Sequence, residues 1–169
     1  NYPTDQYVMV ENGVQVSFWQ AGINKAPVNL GMGARTAAED TSTLIKGISV
    51  VDVDGNLAST QLTVLNGTLS VSLAGGASIS AGANNSTTLT LSGTEAQINA
   101  ALASLTYQAN LNVNGTDTLT VVSRDSASTV LSDTDSLSIT VSSVNDPATF
   151  SGDTSKAITE NNAAQTVTG

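Results

Sequence analysis

The side chains that could do chemistry in this sequence are carboxylates, and they come in clusters. They occur as Glu39-Asp40, Asp52-Val53-Asp54-Gly55, Asp133-Thr134-Asp135 and Asn145-Asp146. Hard cations such as calcium take about six to eight oxygens from carboxylates, amides and backbone carbonyls. An Asp-x-Asp-Gly turn can aim two carboxylates at one point while its glycine permits the sharp bend. It is not an EF-hand loop, because no Glu stands at the twelfth position. The same residues also form plain turns whose side chains accept backbone hydrogen bonds, so spacing alone leaves both roles open. Asp117 and Asp125 are the weaker candidates for ligands.

Other chemistry is excluded more firmly. The chain has no Cys and no His, so it lacks thiolate chemistry, the commonest general base and the commonest transition-metal ligand. The acidic residues lie in turns rather than in an aromatic-lined cleft, and no enzyme activity is expected. Fourteen acidic residues against five basic ones give a net charge of −9. A nucleic acid or an anionic membrane surface needs the opposite sign. No apolar run is long enough to span a bilayer.

The elements that must position the carboxylates centre on Glu39–Gly55. Its apolar, β-branched run, Leu44 to Val51, reads as a strand with acidic residues at both ends, which would place carboxylates at two poles of a β-domain. Two Asn-Gly pairs, Asn12-Gly13 and Asn66-Gly67, lie between alternating runs and read as hairpins. Further strands are expected near Ile79, over Thr87–Leu91, at Thr106-Tyr107, over Thr118–Val122 and over Ser136–Val141. Ile98, Ala101, Leu102 and Leu105 recur at helical spacing behind Thr94, an N-cap candidate, and predict the one short helix. Leu119, Val121, Leu137, Ile139 and Val141 supply a buried face with Ser and Thr outward. This pattern predicts an all-β Greek-key sandwich.

The linker-like segments around Pro27 and Pro147 look alike. Asn24 recurs as Asn145 and Glu39 as Glu160 at the same separation, an internal repeat about one domain long. We read residues 1–23 as the terminal hairpin of a preceding or partner domain and 24–29 as a linker. Residues 30–143 form the sandwich, 144–147 a second linker and 148–169 the first strands of a following domain. With no Met at Asn1 and a strand-like pattern still running at Gly169, both ends read as cut.

The order Glu39-Asp40, DVDGN at 52–56, NGTLSVSL at 66–73, GTEAQINAALASLTYQAN at 93–110, NGTDTLTV at 114–121 and DTDSLSITVSSVNDP at 133–147 resembles the cadherin-like repeats of large bacterial surface adhesins. The likeness covers roughly residues 27–147, and the segment from Phe150 onward resembles the start of a further repeat. It implies an immunoglobulin-like or cadherin-like sandwich in a tandem array, with calcium at the domain junctions. Carried over position by position, Glu39, Asp52, Asp54, Asn145 and Asp146 match the cadherin-type ligand scheme. Asp133 and Asp135 fall near the C-terminal pole in that pattern, and Asp40 is a further candidate. Lys25 stands where the first linker would carry Asp, and Asn161 replaces the acidic partner of Glu160, which argues against a strong N-terminal junction. The function so implied is a structural extender repeat of an extracellular bacterial adhesin, supporting cell adhesion or a biofilm matrix. Its partners would be adjacent repeats or copies of the same protein. The alternative is a filament subunit joined head to tail by exchange of terminal strands. Asn66, Asn85 and Asn114 head Asn-x-Ser/Thr sequences, which serve turns equally well.

Overall fold

Alternation of apolar and hydroxyl-bearing residues folds this chain into strands, because side chains on a strand point to opposite faces in turn. The computed structural model describes residues 23–145, together with the strand backbones β1 (Gln6–Glu11) and β2 (Val14–Trp19). β1 and β2 pair antiparallel with Glu11 opposite Val14, the hairpin expected at Asn12-Gly13. The repeat partners Glu160 and Asn161, the ligand candidate Asp146 and the segment 148–169 lie outside the described residues.

Six strands form the larger sheet: β4 (Arg35–Ala38), β7 (Leu57–Thr63), β9 (Ser78–Gly82), β10 (Thr88–Ser92), β12 (Gly115–Asp125) and β13 (Ser132–Ser142). Their spatial order is β4-β13-β12-β7-β10-β9, antiparallel throughout except for the parallel pair β4 and β13. The smaller sheet has the order β5 (Thr43–Leu44), β11 (Thr106–Ala109) and β8 (Gly67–Ser70). A short pair, β3 (Val28–Leu30) and β6 (Ser49–Val51), forms a ladder of its own. Leu62, Leu89, Leu91, Leu119 and Ile139 from the larger sheet share one core with Leu69 and Tyr107 from the smaller. The fold is an all-β sandwich, and each leucine buried in it contributes about 2 kcal/mol.

Helix α1 (Glu95–Leu102) forms where the spacing predicts it. The Thr94 hydroxyl accepts from the Gln97 amide at 3.3 Å while Gln97 Oε1 accepts from the Thr94 amide at 2.8 Å. This capping box satisfies two otherwise orphaned N–H groups. Ile98, Ala101 and Leu102 are buried, and Leu105 beyond the helix joins the same core. Asn99 grips β6 in both directions, accepting from the Val50 amide and donating to the Val50 carbonyl, each at 2.8 Å. The helix thereby aims the strand that leads into Asp52. Among the described residues no helix is long and apolar enough to cross a membrane.

Three local expectations fail for physical reasons. Leu44 to Val51 is not one strand: Gly47 takes φ +81°, so Thr43–Leu44 joins the smaller sheet while Ser49–Val51 pairs with β3. The Asn66-Gly67 pair does not close a hairpin, because β7 and β8 belong to different sheets. Neither residue has the positive φ that a type I′ turn requires; the chain instead crosses the sandwich there. Val28 and Asn29, expected in the linker, lie in β3. The Asn29 side chain is buried, accepting from the Ser123 hydroxyl at 2.6 Å, and that hydroxyl is 3.0 Å from the Thr60 hydroxyl.

Candidate metal centres at the two poles

The N-terminal pole is built by the turn that leaves β6. The Gly55 amide donates to the Asp52 carbonyl at 3.1 Å, and Gly55 takes φ +69°. Within this turn the Asp54 amide donates to Asp52 Oδ1 at 3.0 Å. Glu95, in the first turn of α1, accepts from the Asp52 amide at 2.8 Å. Residues 24 and 25 then lace across the turn. The Lys25 amide donates to Asp54 Oδ2 at 2.6 Å, and Asn24 Nδ2 donates to Asp125 Oδ2 at 2.7 Å. Asn56 Nδ2 completes the chain by donating to Asn24 Oδ1 at 2.9 Å.

Two oxygens at this pole are buried without a hydrogen-bond partner, Asp52 Oδ2 and Asn56 Oδ1. Burial pushes the Asp52 carboxyl above its ordinary range, and the charges of Asp54, Asp125 and Glu95 push the same way against the Asp54 amide bond. Asp125 goes the other way. Burial raises it, but the Asn24 amide and the Leu131 and Ala127 N–H groups outweigh that and hold it low. One carboxylate here is well satisfied; the other is crowded by negative charge.

At the C-terminal pole, Glu39 follows β4 and is 3 % exposed. Its Oε1 accepts from the Val144 amide at 2.7 Å, its own amide donates to the Ser142 carbonyl at 3.0 Å, and its Oε2 is buried and unpartnered. Asp40 beside it is exposed at φ +61°, and Asn145 is exposed.

The structure therefore divides the expected ligands. Asp52 and Asp54 stand at one pole; Glu39, Asp40 and Asn145 stand at the other. Asp133 and Asp135 belong to neither set and are not near the C-terminal pole. β13 runs antiparallel to β12, so Asp133 lies opposite Ser123 and Asp135 opposite Val121, toward the Asp125 end. Asp133 Oδ2 accepts from the Asn29 amide at 2.7 Å and anchors β3. Sequence reasoning did not place Asn24, Asn56 and Glu95 at this pole, nor Asp125 beside Asn24. Glu95 carries a helix-first-turn signature, which masks any second role; Asn24 and Asn56 become neighbours only through folding.

The donor set fits a hard cation in kind, being carboxylate and amide oxygen with two atoms left unpaired. It falls short in number, because among the described residues no three acidic side chains form a group able to hold a metal. Further oxygens would have to come from backbone, water or an adjoining domain.

The family model described as the Protein GAMETE EXPRESSED 2 domain (GEX2) matches residues 40–145. This chain belongs to that family. The GEX2 match takes in Asp52, Asp54, Asn56, Glu95 and Asp125, and it leaves out Asn24, Lys25 and Glu39. The family is thus the GEX2 domain, whereas the sequence resemblance pointed to the repeats of bacterial adhesins. Among solved structures the chain is similar to the extracellular cadherin domains 1–5 of protocadherin gamma B2, at 18% identity and a TM-score of 0.38. That likeness covers 79% of this chain and 23% of the protocadherin chain, so this GEX2 chain spans about a quarter of that structure's length. No curated protein matches it in sequence.

Proposed function

We propose that this GEX2 domain is a structural spacer of an extracellular, multidomain adhesive protein, as in bacterial surface adhesins, and that calcium stiffens its junctions. One observation supports the reading: each pole holds a buried carboxylate oxygen without a partner, beside the segment that enters or leaves the domain. Asp52 shares its turn with Asp54, which holds the Lys25 amide, and the Glu39 carboxylate holds the Val144 amide through its other oxygen. Leaving such an atom unpaired costs about 1–3 kcal/mol, which a bound cation would offset. A cation shared by two domains would freeze their hinge.

Thermal unfolding with millimolar calcium and then with chelator tests this. If free calcium exceeds its dissociation constant about a hundredfold, stability rises by about 2.7 kcal/mol. Asp52→Asn and Glu39→Gln should each remove part of the rise. Identical melting curves with and without calcium would overturn the role of the ion.

The same site predicts an unusual pH response. Because folding raises the Asp52 pKa, the native state holds this proton more tightly than the unfolded chain does. The Asp52 contribution therefore strengthens as pH falls from neutral through the folded pKa to the ordinary carboxylate value. The depressed Asp125 contributes oppositely, its stabilisation being lost as pH falls through its folded pKa. In chelator at neutral pH, Asp52→Asn is expected to gain on the order of 1 kcal/mol in urea unfolding, since the amide relieves the charge crowding. A loss of that size would show that the ionised carboxylate is already satisfied.

A further inference from the structure

The net charge of −9 is unevenly spread: residues 55–94 contain no Asp, Glu, Lys or Arg. That interval holds β7, β8, β9 and β10, and β9 is an edge of the larger sheet. Among the described residues β9 has a ladder partner, β10, on one side only. It reads Ser78-Ile79-Ser80-Ala81-Gly82, with Ile79 packed against the core and the other four residues exposed. Its serines turn back toward β10. The hydroxyls of Ser78 and Ser92 are 3.0 Å apart, and Ser80 Oγ donates to the Thr90 carbonyl at 3.3 Å. Proteins usually blunt such an edge with Lys, Pro or an inward charge. β9 has none of these, only the register shift between Thr90 and Leu91.

The other edges of the two main sheets are guarded. β4 begins at Arg35 and runs into Glu39-Asp40. β5 is followed closely by Lys46. The outer side of β8 is closed by its own chain: the Leu69 amide donates to the Ser86 carbonyl at 2.9 Å, and Asn84 bonds both the amide and the carbonyl of Val71.

We propose that β9 is a self-association edge, on which two copies pair antiparallel, β9 against β9, about a two-fold axis. Charge selects a second copy as the occupant. Two chains of this net charge repel over most of their surfaces, but at β9 neither presents a charge from residues 55–94. Residues 55–94 offer a basic partner no anion. Exposed Ser, Ala and Gly side chains let two backbones approach, and an antiparallel isologous contact closes on itself rather than growing. A contact of two short strands falls below the ~1,000 Å² of stable dimers, so affinity should be in the range of about 0.1–1 mM. Lateral display of many copies would multiply it.

Sedimentation equilibrium of the full chain in chelator, from about 10 μM to 2 mM, tests this. The expected result is a reversible monomer–dimer equilibrium. Ala81→Lys, which puts a charge on each facing strand, should weaken it about tenfold or more. Leu111→Lys, at a position 76% exposed and outside β9, should leave it unchanged. Hydrogen exchange on the unmodified chain reads the same contact without a substitution: β9 amides should gain protection as concentration rises. A monomer at the top concentration, growth beyond dimers, a dimer indifferent to Ala81→Lys, or unaltered β9 exchange would each overturn the proposal.

Discussion

Asp117→Ala is expected to lose about 4 kcal/mol or more, enough to unfold much of the population of an ordinary domain. The carboxylate is 2% exposed and accepts four hydrogen bonds. Oδ1 takes the amides of Thr118 at 2.8 Å and Leu65 at 3.2 Å; Oδ2 takes the Asn66 amide at 2.9 Å and the Tyr107 hydroxyl at 3.0 Å. Truncation removes the acceptor of all four, leaving the hydroxyl only the Asn66 carbonyl at 3.5 Å, and bonds to a charged acceptor are the stronger kind. These bonds pin the crossing from β7 in one sheet to β8 in the other, so their loss loosens both sheets together. Urea unfolding measures the effect, and a loss below about 1 kcal/mol would mean the crossing is held by packing alone.

Tyr107→Phe is a milder probe of the same knot, expected to cost about 1–2 kcal/mol because three N–H donors remain on the carboxylate. Burial pushes the Tyr107 hydroxyl pKa well above its ordinary value, and the hydrogen bond to Asp117 and its charge add to the shift. Below the ordinary tyrosine pKa of about 10 the residue is neutral in both states and contributes no pH dependence. Above it the unfolded chain ionises while the native chain holds its proton, so stability falls as pH rises. Tyr107→Phe should flatten part of that alkaline decline.

The second large effect is expected at Gly31. It takes φ +77°, and a Cβ there would collide with the carbonyl oxygen and carbon of Gly47. Backbone meets backbone, so no side-chain rotation relieves the clash. Gly31→Ala should cost about 3 kcal/mol or more, from left-handed strain and overpacking together. For a domain of this size that lowers Tm by roughly 10 °C. A shift within about 2 °C would show that the two loops part easily. The contact matters because Arg35 stitches it from the other side: its Nη2 donates to the carbonyls of Gly31 and Lys46, each at 2.8 Å. This stitch holds the break at Gly47 that sends β5 and β6 to different partners.

The site was legible in the sequence only in outline. Glu39 and Asp52 do fall at opposite poles, as the apolar run between them implied, although that run is two strands. Asp133 looked like a ligand because Asp-x-Asp spacing places carboxylates near one another. Its oxygen instead accepts the Asn29 amide, 104 positions away in the chain. Asn24 meets Asp125 across 101 positions, a pairing no local pattern announces.

Class and local elements followed from the sequence by itself. Period-two alternation made strands, the Thr94–Gln97 capping box and the 98-101-102-105 spacing made the helix, and the missing Cys and His removed whole chemistries. Which sheet each strand joined, and which carboxylate each backbone amide took, was decided by the tertiary structure alone. A buried N–H must find an acceptor wherever the fold supplies one, and the same Asp can serve a turn, a distant strand or a cation. Asn66-Gly67 shows the limit: its residues permit a hairpin, but Asp117 and Tyr107 hold them in a crossing.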